Sequence, residues 1–342
     1  MALGPLFLAA SIGAVAAAAA GLATLSAPCD PPKERGLHTR PTPTSGGVAI
    51  LLAVGLGVIL TSVFFPSLLE KRLAAPLILA SLFGVLGLVD DMFGVPAKAK
   101  LALQALAALI FCACAARVET LSTPYGGLGL GPLGGVLGSA LWIVVAINAV
   151  NFMDGVNGLA AGALIIAEIA LGLAAFHSGE RPLAALSFIA AAAGAGFLPW
   201  NLPGGRIFQG DCGALFSGGL FAGLVLVGAG PSGEAGISFW FGPLALLPLL
   251  TDVFLTLLSR ARRGLSLLDA HREHLFQRWL LAKSRSHVQV ALRTWRMMML
   301  AGTAGLIMLT TPVRFHALLF AVALACSIAS WMWTDRQVKR SG

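Results

Sequence analysis

Two adjacent carboxylates, Asp90 and Asp91, close the apolar run "ASLFGVLGLV", and Lys98 and Lys100 follow within ten residues. Like charges side by side repel unless a cation or a proton stands between them. Mg²⁺ suits such a place, because it prefers carboxylate oxygens completed by substrate phosphates. A pair of solvated interfacial charges marking a helix end would explain the stretch equally well.

Other polar stretches pose the same choice. In "NAVNFMDGVNGLAAG", Asn148, Asn151 and Asp154 recur every third residue and share a helix face, with Asn157 close behind. Asparagines at membrane depth are costly unless satisfied; the plain alternative is an interhelical amide clamp. Asp211, in "NLPGGRIFQGDCGALFSGG" with Asn201 at its head, stands at a helix start that favours anions, and a simple cap would also explain it. "DAHREHLFQR" sets His271, Arg272 and His274 together. With Arg beside the imidazoles and no third soft ligand, phosphate contact fits better than zinc, although a basic surface helix on anionic lipid would look similar. "HTRPTPTSGG" offers Arg40 and Thr44 to phosphate in a Pro-stiffened loop. Two further acids lie inside apolar runs: Glu168 at mid-span, and Asp252 nearer an end.

The chain that must position these groups is 57% hydrophobic and 11% charged over 342 residues, far from the quarter charged of a soluble domain. It reads as one all-α polytopic membrane domain, residues 1–342. Runs able to cross about 30 Å of hydrocarbon fall at 3–25, 46–65, 74–89, 99–116, 136–152, 158–176, 183–199, 212–230, 236–259, 294–311 and 315–333, about eleven spans. The first lacks a basic region before it and reads as a span, not a cleaved signal. With the N-terminus outside, eighteen of the 23 Lys and Arg residues fall on the cytosolic side, which sets that orientation and a cytosolic C-terminus. The net charge of +8 is thereby a topology signal, not one for nucleic acid. The five cysteines are scattered without metal spacing and read as core residues. In this topology all the polar stretches reach the cytosolic membrane face, which implies one site there.

As a set, "DD…AKAKLALQ", "NAVNFMDGVNGLAAG", "GDCGALFSGG", "DAHREHLFQR" and "RPTPTSGG" resemble the polyprenyl-phosphate N-acetylhexosamine-1-phosphate transferase superfamily, in the family's order. The "HREHLFQR" form is most similar to the branch that initiates O-antigen and other surface glycans. The resemblance implies a multi-pass enzyme of the bacterial inner membrane. It would pass N-acetylhexosamine 1-phosphate, from GlcNAc or a 6-deoxy amino sugar, from a UDP-sugar to undecaprenyl phosphate, release UMP and use Mg²⁺, or Mn²⁺ in its place. It also leaves room for a homodimer. Asp90, Asp91, Asp154, His271 and His274 then fall in catalytic positions. Asp211 and Asp91 fall in metal positions. Arg40, Thr44, Lys100, Asn148, Asn151, Asn157, Asn201 and Arg272 fall in substrate-binding ones. Asn157 stands where the peptidoglycan branch has Asp, and the histidine motif is HxxH, not a contiguous run. A peptidoglycan-type transferase is the nearest alternative. A transporter is the other, and it would require polar groups at the bilayer midplane, where only Glu168 is expected.

Overall fold

The computed structural model describes residues 11–15, 17–19, 21–22, 29–30, 42–68, 70–233, 235–267, 272–282 and 285–340. Arg40 and His271 lie outside them, as does most of the first expected span. The described residues build a helical bundle of α1 (Gly46–Phe64), α2 (Ala74–Phe93), α3 (Ala97–Cys114), α4 (Gly131–Met153), α5 (Leu159–His177), α6 (Arg181–Asn201), α7 (Gly210–Ala229), α8 (Phe241–Ala245), α9 (Leu247–Arg262), α10 (Leu275–Ala282), α11 (His287–Met308) and α12 (His316–Lys339). Among the described residues eight helices, α1 to α7 and α12, are long and apolar enough to cross a membrane. The protein is thus a multi-pass membrane protein. Two short antiparallel pairs accompany the helices: β1 (Cys29–Asp30) with β2 (Thr42–Pro43), and the hairpin β3 (Thr120–Thr123) with β4 (Gly126–Gly129).

Where helix boundaries differ from the apolar runs, local chemistry accounts for it. α2 carries Asp90 and Asp91 in its last turn and ends at Gly94, whose φ of 71° is open to glycine. The run 236–259 is not one continuous helix: Pro248, with no N–H to donate, sits in the first turn of a new helix, so α8 and α9 break at Leu246. α11 starts at His287, ahead of the run 294–311, because Ser286 and Gln289 form a reciprocal capping box.

α7 is the axis of the bundle, with 89% of its span buried, whereas α12 is peripheral at 11%. α2, α4 and α1 pack directly against α7. Glycine makes this closeness workable. A Cβ on Gly87 would lie 2.3 Å from the Asp211 carbonyl oxygen, and one on Gly47 would lie 2.1 Å from the Gly213 nitrogen. Small residues let helices approach where lipid gives no hydrophobic drive. These contacts seat the C-terminal end of α2 and the start of α1 against the N-terminus of α7. The acids of the two helices therefore meet.

Candidate active site

The polar stretches that the sequence sets apart converge at one end of the bundle. The Lys100 ammonium, from the first turn of α3, donates to Asp90 Oδ2 at 2.6 Å and to Asp211 Oδ2 at 2.5 Å. Two carboxylates from different helices therefore share one ammonium. Asn151 donates to Asp211 Oδ2 at 3.4 Å. Asp90 Oδ1 accepts from the Val95 amide at 2.5 Å, which closes the turn between α2 and α3 and aims Lys100 back at the acids.

Asp91 has a different employment. Its Oδ1 accepts from the Asp211 N–H at 3.0 Å and its Oδ2 from the Cys212 N–H at 3.1 Å. It caps α7 from another helix, satisfying amide groups that would otherwise have no partner. Gly210, at φ +64°, completes the seat: a Cβ there would lie 2.5 Å from Asp91 Oδ2 and 2.8 Å from the Thr44 carbonyl oxygen. The loop holding Thr44 lies beside this turn, pinned by Gly46 N–H to the Phe208 carbonyl at 3.0 Å and Gly47 N–H to the Gln209 carbonyl at 2.9 Å. Asp211 itself sits in the first turn of α7 and is not the cap.

Asp154 terminates α4, half-buried, and accepts from Gln209 Nε2 at 2.8 Å. Burial pushes its carboxyl well above the usual carboxylate range; the charge of Asp211 adds to this and the Gln209 donor opposes it. His274, just before α10, is buried and stacked between Phe152 (centroids 5.8 Å, interplanar 29°) and Phe276 (5.9 Å, 18°). Burial lowers its pKa; the negative charge of Asp252 works against that. Arg272 is half-buried in the segment leading to it.

Three asparagines spend their amides on the protein. Asn148 is the interhelical clamp that its position allows, donating to Gln104 Oε1 at 2.7 Å. Asn201 donates to the Ile207 carbonyl at 2.9 Å and accepts from the Gly158 amide. Asn157 takes its backbone N–H to His287 Nδ1 at 3.1 Å and its amide to the Pro203 carbonyl at 3.5 Å. Asn201 and Asn157 therefore shape the turn after α4 and the loop before α7.

A cavity of about 510 Å³ opens beside the acids. Its polar end is lined by Lys100, Asn148, Asn151, His274 and Gln277, and its wall by Leu101, Val144, Val145, Leu250, Val253, Phe254 and Leu257. Leu101 and Phe254 are exposed on the outer surface of the bundle, so the cavity is open sideways between α3, α4 and α9. Glu168 is not part of this site. It lies buried within α5 and lines a separate small cavity that reaches Gln209. Gln209, Gln104, Gln277 and Asp252 are the functional neighbours that sequence reading left unassigned or without a partner. For the glutamines the available signal was a polar amide within or bordering an apolar run.

The hard oxygen donors of Asp90, Asp211 and Asp154 suit Mg²⁺. Among the described residues no three His, Cys, Asp or Glu side chains are placed to hold a metal by themselves. A divalent ion held by these carboxylates would need substrate phosphates to complete its shell. The Lys100 ammonium, lodged between two carboxylates, marks where positive charge is stabilised. For Asp91, the metal role that the resemblance implies competes with the two amides it already holds.

Residues 73–229 match the family profile described as glycosyl transferase family 4. The chain is 33% identical over 288 residues, 76% of its length and 70% of the relative's, to a decaprenyl-phosphate N-acetylglucosaminephosphotransferase of Mycolicibacterium smegmatis. It is 29% identical over 325 residues, 79% and 85% of the two lengths, to a phospho-N-acetylmuramoyl-pentapeptide-transferase of an Arthrobacter species.

Proposed function

Because the chain belongs to glycosyl transferase family 4, the superfamily of polyprenyl-phosphate N-acetylhexosamine-1-phosphate transferases, we propose that it transfers a sugar 1-phosphate to a polyprenyl phosphate. The donor is a UDP-N-acetylhexosamine, the acceptor undecaprenyl phosphate, and the product UMP plus the lipid-linked sugar that starts a surface glycan. The observation that carries this reading is the joining of two environments: an ammonium between two carboxylates opens directly onto a sideways apolar cavity. A nucleotide diphosphate needs the first and a polyprenyl tail the second.

The acceptor phosphate is already an anion, so the site needs to align it more than to deprotonate it. Lys100, at the mouth of the cavity, holds the phosphates against repulsion from the acids. Asp211 and Asp90, with Asp91 behind them, would hold Mg²⁺, which supplies neutralisation of the diphosphate and of the leaving UMP. Asp154, kept protonated by burial to a higher pH than usual, would take or return a proton at the phosphate. His274, stacked between two phenyl rings, lines the same polar end of the cavity as Lys100. The site lies at the cytosolic face, with the N-terminus outside, in line with the basic-residue bias.

The test is UMP release by purified protein given undecaprenyl phosphate, Mg²⁺ and a panel of UDP-sugars, with and without EDTA. Release with a UDP-N-acetylhexosamine, abolished by chelation, is expected. Release only with UDP-N-acetylmuramoyl-pentapeptide would move the protein to the peptidoglycan branch, and no release with any donor would overturn the proposal.

A further inference from the structure

Asp252 lies in α9, outside the cavity's polar end, yet it is buried and its carboxylate collects four donors. Oδ1 accepts from the Leu275 N–H at 2.8 Å, the Trp331 indole N–H at 3.1 Å and the Thr256 hydroxyl at 3.2 Å, and Oδ2 accepts from the Phe276 N–H at 3.2 Å. Leu275 and Phe276 are the first residues of α10, and His274 immediately precedes them. α10 has eight residues, too few to hold a helix by itself. Its place must come from tertiary ties. α12 provides a second one, through Arg278 to Asp335 at 2.5 Å.

We propose that Asp252 is the positioning residue for His274: its carboxylate fixes the start of α10 so that the imidazole stands at the cavity, and Trp331 of the peripheral α12 locks that carboxylate. The proposal rests on the transferase reading for its catalytic consequence, but the tie itself is a property of the fold. Asp252 makes no hydrogen bond to Lys100, Asp90 or Asp211; it reaches the site through the segment it holds and through its charge near His274, and Trp331→Phe, which leaves that charge in place, separates the two. The peripheral helix α12 thereby gains a part in the site.

Two variants separate this from a general role in stability. Asp252→Asn keeps the volume and one acceptor oxygen. Trp331→Phe removes only the indole N–H. Hydrogen exchange on the full chain in detergent should show amides at 275 and 276 exchanging about tenfold faster in Asp252→Asn, the factor of one lost charge-assisted hydrogen bond. Trp331→Phe should show a smaller increase at the same amides, and peptides from α7 should keep their rates. Turnover should fall with a raised KM for the polyprenyl phosphate and an unchanged KM for the nucleotide sugar. Combined with His274→Gln, Asp252→Asn should add almost nothing further. Unchanged exchange at 275 and 276, or faster exchange spread evenly over the bundle, would overturn the proposal, as would fully additive losses with His274→Gln. If the unsubstituted protein turns over no polyprenyl phosphate, the transferase reading fails and the exchange measurement still decides the tie.

Discussion

Replacing Asp91 by alanine separates an anchor from a reactive group. The side chain holds two consecutive amides at the N-terminus of α7 at 3.0 and 3.1 Å, and Ala accepts from neither. A hydrogen bond to a charged acceptor contributes about 1.5 kcal/mol net, and the attraction of the helix dipole adds about 0.5 kcal/mol. The site is half-buried, so water recovers part of this, which leaves about 2 kcal/mol. In a chain of 342 residues that lowers the thermal transition by about 3 °C. Asp91→Asn keeps one acceptor and should lose about half as much. The measurement is thermal unfolding of detergent-purified protein in the presence of chelator, paired with turnover. Asp90→Asn is the comparison, because Asp90 holds only one amide, Val95, and it should lose turnover with a smaller drop in transition. An Asp91→Ala protein that unfolds where the unsubstituted one does, yet has no activity, would refute the anchoring argument and return Asp91 to direct contact with substrate or metal.

Asp154 binds its proton more tightly in the folded protein than in the unfolded chain. Its contribution to stability is therefore full below the ordinary carboxylate range and is lost as pH rises from there to the raised folded value. Turnover that needs the carboxylate should rise over that same raised limb; a pH–rate profile should show it, Asp154→Asn should remove it, and Gln209→Leu, which deletes the opposing donor, should move it to higher pH. Gly87→Ala places a methyl 2.3 Å from the Asp211 carbonyl and should cut turnover at least about tenfold by displacing α7, since overpacking costs on the order of 1–3 kcal/mol; normal turnover would mean that the helices separate without moving the acids. Gln104→Leu leaves Asn148 without its 2.7 Å acceptor and should lower stability by about 1 kcal/mol with turnover largely kept, as read by unfolding and UMP release on the same preparation.

Charged and amide residues are conspicuous in a chain with 57% hydrophobic residues, so Asp90, Lys100, Asn151, Asp154 and Asp211 could be singled out from their neighbours alone. Their convergence follows from the packing, because helix ends at one end of a bundle have nowhere else to meet. What each carboxylate does was less legible. Asp90 and Asp91 are adjacent and chemically identical, yet on a helix they point about 100° apart, one toward Lys100 and the other toward the start of α7. That assignment depends on how α2 lies against α7, which Gly87 permits but does not announce. Asn148 satisfied the plainer of its two readings, an amide clamp, because its partner Gln104 sits on a different helix. The break at Leu246 was signalled by Pro248, but a run of apolar residues on both sides concealed it. Asp252 stood out as an intramembrane acid, while its partners, Leu275, Phe276 and Trp331, are ordinary residues distant in sequence.

If the proposed transfer uses the sideways cavity between α3, α4 and α9, its two reactants reach the site by separate routes. A water-soluble donor arrives in three dimensions, at a concentration set by the aqueous volume. An acceptor entering past Leu101 and Phe254 arrives in two, and what it presents to the protein is its mole fraction among lipids. Diluting the membrane with inert lipid should then slow turnover even when the total amount of acceptor per millilitre is constant, and adding water should not while the nucleotide donor is kept saturating. On the proposed reading, saturation by the acceptor is a property of the bilayer's composition and not of the aqueous volume.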